Sequence, residues 1–182
     1  MGMVLAILGG AIAMPELLFH YPNMGISLWG NYFPASVPFV AGFATSAACL
    51  VGAAYFVPIY PGRLNIMRRL LLLIALGLVL ILITPYQTNA LFYWAHTFAA
   101  IYLYLVAGGG AAWAMLHAGK ARLDWLLFDT LILGVILSAL STSYARILGL
   151  LALGQILALT GAALIIIRAA RRWVAQEAAI RE

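Results

Sequence analysis

Ile66-Met67-Arg68-Arg69-Leu70-Leu71-Leu72-Leu73-Ile74-Ala75-Leu76-Gly77-Leu78-Val79-Leu80-Ile81-Leu82-Ile83-Thr84 begins with two arginines and then runs from Leu70 to Ile83 without a polar side chain. A bilayer core about 30 Å thick is crossed by roughly 20 apolar residues at 1.5 Å rise each, so this stretch has the length and character of a membrane-spanning helix. What flanks it sets the pattern for the rest of the chain. Arg63, Arg68 and Arg69 lie at one end, and an uncharged polar island, Pro85-Tyr86-Gln87-Thr88-Asn89, lies at the other and leads into His96.

The same alternation recurs along all 182 residues. Apolar stretches at 3–20, 36–57, 66–84, 91–116, 123–140 and 147–167 predict an all-α, six-helix transmembrane bundle in a single membrane domain, followed by a tail at 168–182. The first is interrupted by Pro15 and Glu16. Hydrophobic residues make up 66% of the chain and charged residues 8%, with a mean hydropathy of +1.06. A soluble domain has about 45–50% and about 25%, so an integral membrane protein is expected and a separate soluble domain is not. An Ala11-Ile12-Ala13 triplet resembles a signal cleavage site, but a basic n-region is missing and the apolar run continues to Phe19, so a retained span is expected.

Basic residues set the expected orientation, since short cytoplasmic loops carry Lys and Arg preferentially. Loops two and four and the tail hold Arg63, Arg68, Arg69, Lys120, Arg122, Arg168, Arg171, Arg172 and Arg181, loops one and three hold none, and loop five holds Arg146. Both termini are therefore expected inside, in a bacterial inner membrane. The net charge of +5 reads as topology and contact with anionic lipid, not as nucleic-acid binding.

The first outer loop, His20-Tyr21-Pro22-Asn23-Met24-Gly25-Ile26-Ser27-Leu28-Trp29-Gly30-Asn31-Tyr32-Phe33-Pro34, has no Lys, Arg, Asp or Glu and is rich in aromatics, Gly, Pro and amides. It predicts an ordered cap at the membrane surface, on the same side as the second island. Tyr21, Trp29, Tyr32 and Phe33 with Tyr86, Phe92, Tyr93 and Trp94 predict an outer aromatic belt, and Trp113, Trp125 and Trp173 an inner one. Helix packing is expected at small residues: Gly154, Ala158, Gly161 and Ala162 in the last span, Gly42 and Ser46 in the second. Gly108-Gly109-Gly110 is expected to serve close packing, with a flat ligand as the alternative. Cys49 excludes an intramolecular disulfide and is expected in the core.

Ionisable groups inside spans are costly and call for partners. Glu16 and His20 share a helix face at i, i+4 spacing, and His96 begins span four on the same side. A buried hydrogen-bond network tying span one to span four is the expected role. Two alternatives use the same residues. Glu16, His20 and His96 form an acceptable zinc set, which would suit a metal-dependent lipid hydrolase at the outer leaflet. His96 and His20 would serve as axial ligands for haem, or His96 alone for a chlorophyll-type pigment, with Trp94, Phe98, Tyr102 and Tyr104 around a flat ring, as in a subunit of a respiratory or photosynthetic complex. Asp129 is expected in an ion pair near Arg122, Arg68, Arg69 and Arg168. The apolar middles of the spans speak against a proton relay, and P-loop, GxGxxG and HExxH motifs are missing.

Ile26-Ser27-x-x-Gly30-Asn31-x-x-Pro34 in the first outer loop, with Gln87 and His96-x-x-Ala99, resembles the DRAM-like family of six-span proteins and related bacterial families. Leu28-Trp29 stands where an acidic residue often follows the Ile-Ser pair, and Gln155 where the resemblance would place an acid in the last span. The resemblance implies a non-enzymatic protein tied to lipid organisation or to regulation of a partner, in which Ile26, Ser27, Gly30, Asn31, Pro34, Gln87 and His96 shape the outer cap and pin it to span four. A non-catalytic accessory or scaffold subunit contacting membrane lipids and a membrane protein partner is the function expected, without a cofactor.

Overall fold

The computed structural model describes residues 9–10, 12–15, 26–57, 62–85, 89–118, 121–143 and 150–180. These form a 3-10 helix, Ile26–Asn31, and five long α-helices: α1 (Ser36–Phe56), α2 (Arg63–Ile83), α3 (Ala90–His117), α4 (Arg122–Ser143) and α5 (Leu150–Ala179). All five are long and apolar enough to cross a membrane, and no strand occurs among the described residues. The first expected span, with Glu16 and His20, lies mostly outside the described residues.

Local chemistry explains the helix ends. Pro38 falls in the first turn of α1, where a missing N–H costs nothing. Pro85 disfavours helix at the residue before it, and α2 ends at Ile83, with Thr84 already out of helical geometry. Asn89 caps α3, its side chain accepting from the Phe92 N–H at 2.9 Å. Gly62, with φ +114°, turns the chain into α2 in a conformation that side-chain-bearing residues rarely adopt. The last helix continues past the expected end of its span at residue 167, through the arginine-rich stretch to Ala179.

Successive helices run antiparallel, which gathers the arginines at one end and the 3-10 helix at the other, here called the cap end. The interior divides accordingly. Near the arginine-rich end, Met67, Leu71, Ala111, Ala114, Ile165 and Trp173 pack together. Near the cap end, Trp29, Phe39, Phe43, Leu78, Ala99 and Leu103 do so. Trp173 is 2% exposed, its ring 5.1 Å from that of Trp113, so it belongs to the core and not to an interfacial belt. Cys49 is exposed, contrary to the core position expected of it.

The ion pair forms around Asp124 instead of Asp129. The Asp124 side chain, 3% exposed, accepts from Arg168 Nε at 2.7 Å and Arg172 Nη2 at 2.5 Å. It also accepts from the Ala121 N–H at 3.1 Å, so one carboxylate caps the start of α4 and holds it to α5. Arg172 reaches on to the Ala118 carbonyl at 3.2 Å, and Arg63 donates to the His117 carbonyl at 3.0 Å. Asp129, one and a half turns further along α4, is exposed.

Above that anchor, α4 lies along α5 through a seam of small residues. A Cβ at Gly134 would fall on the Ala158 N and the Gly154 carbonyl, and one at Gly161 would come within 2.8 Å of the Leu127 carbonyl. Ser138 faces Gly154, its hydroxyl donating to the Gly134 carbonyl at 2.9 Å. This is the backbone approach that small residues permit where lipid supplies no hydrophobic drive. Helix α3 packs on α2 and α5 but touches α4 only sparsely, so α3 and α4 stand apart over α5.

Candidate functional site

The space left between α3 and α4 is a groove of about 790 Å³, walled by those two helices and floored by the start of α5. Its lining on α3 runs from Tyr93 to Ala112. Nineteen residue-to-residue rises of 1.5 Å make roughly 28 Å, close to the full hydrocarbon thickness. The α3 side is low because small residues recur a turn apart: Thr97, Ala100, Gly108, Gly109 and Ala112. Gly108 and Gly109 have nothing within 4 Å of where a Cβ would stand, whereas a Cβ at Gly110 would overlap the Leu70 side chain. One glycine of the triplet therefore serves the expected close packing, and the other two keep the groove open.

Polarity within the groove is graded along its length. Ser27, from the 3-10 helix, joins Tyr93, Thr97 and Gln155 at the cap end, while Ile101, Leu105, Phe128, Ile132 and Val135 line the deeper part. Tyr104 and Ser138 lie between these zones, the Tyr104 hydroxyl buried and directed at Ser138 without full hydrogen-bond geometry. No Lys, Arg, His, Asp or Glu contributes to the lining among the described residues. No group of three or more His, Cys, Asp or Glu suited to a metal ion occurs among them either. The groove can thus bind an apolar molecule and hydrogen-bond to its end.

Of the residues singled out in the sequence, Glu16, His20 and Gln87 lie outside the described residues. His96 is 4% exposed and its Nδ1 donates to the Thr84 carbonyl at 2.6 Å, which ties the start of α3 to the end of α2. Trp94 and Phe98 lie on the opposite side of α3, with rings 6.2 Å apart, and both are exposed. Tyr102 donates to the Leu73 carbonyl at 3.1 Å, and Tyr104 faces the groove. The four aromatics therefore point in three directions and do not surround His96.

The cap is equally divided. Trp29 is 4% exposed and belongs to the core, so it is neither a belt residue nor a surface for docking. Gly30 lets the 3-10 helix lie against the Phe39 ring. Asn31, Tyr32, Phe33 and Pro34 are exposed, Phe33 at 81%, and the Phe33-Pro34 bond is cis. Of Ile26, only the backbone is described. The cap packs chiefly on α1, while Ser27 reaches the groove beside Tyr93. Reading the sequence did not find the groove, although the glycines and Gln155 were visible there as signals.

No protein-family model, no curated protein and no solved structure matches the chain.

Proposed function

We propose that this chain is a non-catalytic integral membrane protein that binds membrane lipid and acts as an accessory or scaffold subunit for another membrane protein. The observation that carries the reading is the groove between α3 and α4, which runs from Tyr93 to Ala112 along α3, is mostly apolar with a polar mouth, and is lined by no Lys, Arg, His, Asp or Glu among the described residues. Sites that bind small molecules are usually concave and mostly apolar with a few placed polar groups, and about 790 Å³ is within their usual size range. The exposed Tyr32 and Phe33 of the cap, with Trp94 and Phe98 on α3, supply a surface for a partner at the same end.

The arginine distribution supports placing the cap end outside and the arginine-rich end in the cytoplasm, with six spans and both termini inside a bacterial inner membrane. The resemblance to the DRAM-like family supports the same non-enzymatic reading. The test is native mass spectrometry of the full chain extracted from membranes in mild detergent. Lipid retained in defined stoichiometry, and lost from a Gly108→Leu variant that fills the groove, is the expected result. Measurable turnover of a lipid by the purified protein would overturn the non-catalytic assignment.

A further inference from the structure

We infer that the groove between α3 and α4 holds one single-tailed lipid with a small, uncharged, hydrogen-bonding head, taken from the leaflet at the cap end. This rests on the lipid-binding reading and specifies the ligand. Three independent features lead to it. The first is direction: polar groups gather at the cap end, where Ser27, Thr97 and Gln155 meet, and the deeper walls are apolar. An amphiphile fits that gradient in one orientation only, with its head at the cap end and its tail towards Ala112.

The second is charge. Among the described residues the mouth contains no cation for a phosphate or carboxylate, and the cap loop from residue 20 to 34 has no Lys, Arg, Asp or Glu. A charged head drawn below the interface would pay desolvation with no counter-ion to offset it, whereas hydroxyl or carbonyl heads exchange hydrogen bonds with hydroxyl and amide side chains. The third is size. At roughly 30 Å³ per water-sized group, about 790 Å³ accommodates on the order of 25 heavy atoms. That suffices for one long chain and a small head, and is about half of what a two-tailed phospholipid requires. Monoacylglycerols, long-chain alcohols and prenyl alcohols share this chemistry.

The test uses the full chain in detergent micelles, titrated with monooleoylglycerol, with oleoyl lysophosphatidylglycerol as the anionic single-tailed control and dioleoylglycerol as the uncharged two-tailed one. Binding is read by native mass spectrometry. Saturable one-to-one binding of monooleoylglycerol is expected, at least tenfold tighter than either control. Gly108→Leu should reduce it at least tenfold with the thermal midpoint retained, because open space lies ahead of that Cβ. Gln155→Leu should reduce it about three- to tenfold, the effect of one hydrogen bond. Equal or tighter binding of the lysophosphatidylglycerol overturns the charge argument, and equal binding by Gly108→Leu overturns the site. If dioleoylglycerol or a phospholipid binds and Gly108→Leu removes it, the single-tail inference falls while the lipid-binding function stands. If no lipid binds either protein, both fall.

Discussion

Two sets of glycines on neighbouring helices should respond in opposite directions to the same substitution. At Gly134 and Gly154, an added Cβ meets backbone: the Ala158 N and Gly154 carbonyl in one case, and the Gly134 carbonyl at 2.7 Å and Ser138 N at 2.7 Å in the other. Backbone cannot rotate away as a side chain can, so α4 and α5 must move apart by about an ångström to reach ordinary van der Waals separation. Overpacking of this kind costs about 1–3 kcal/mol, against which alanine's better helix propensity returns about 1 kcal/mol. Gly134→Ala and Gly154→Ala should therefore each be destabilising by up to about 2 kcal/mol. At Gly108 and Gly109 the space is open, so only the propensity term applies, and each alanine should stabilise by about 0.5–1 kcal/mol. The spread between the sets, up to about 3 kcal/mol, is read from reversible unfolding in mixed micelles, with the helical signal as probe. If Gly108→Ala destabilised by 1 kcal/mol or more, that face of α3 would be packed and the groove would be closed. If Gly134→Ala stabilised as much as Gly108→Ala, α4 would not lie on α5 through this seam.

Other substitutions test the remaining anchors. Asp124→Asn keeps the shape of the side chain but removes the charge that Arg168 and Arg172 share; a loss of about 2–3 kcal/mol is expected by the same unfolding assay, whereas Asp129→Asn, at an exposed site, should change stability by less than about 0.5 kcal/mol. Trp29→Ala should cost about 3–5 kcal/mol by leaving a cavity in the cap-end core, while Phe33→Ala should leave stability unchanged and weaken capture of a membrane partner in cross-linking from the cap. His96→Ala removes the bond to the Thr84 carbonyl, and a loss of about 1–3 kcal/mol is expected, with faster amide exchange at the end of α2 as the local readout.

The helices and their polarity were legible in the chain because each is a local property: a run of apolar residues long enough for a bilayer, ended by Pro85, Asn89 or a cluster of arginines, states its own length and ends. Small residues in the last span announced close packing for a similarly local reason, and Gly154, Ala158 and Gly161 do abut α4. Which of two candidate acids is paired was not legible, because Asp124 and Asp129 stand five residues apart on one helix and only the approach of α5 brings Arg168 and Arg172 to the first. Trp29 and Trp173 were misplaced for a related reason. A tryptophan near a helix end suits the interface or the core equally until neighbouring helices cover it.

The glycine triplet shows the division most clearly. Composition and spacing determined that a low, smooth surface exists on α3, since three residues without a Cβ in succession leave no other outcome. Only the tertiary structure decided what that surface faces, because Gly110 turns to Leu70 on α2 while Gly108 and Gly109 turn to the space beside α4. That space exists because the seam and the Asp124 cluster hold α4 to α5 and away from α3. Its polar mouth combines Ser27, Thr97 and Gln155 from three parts of the chain. A groove is a relation between helices, and no single stretch of sequence contains it.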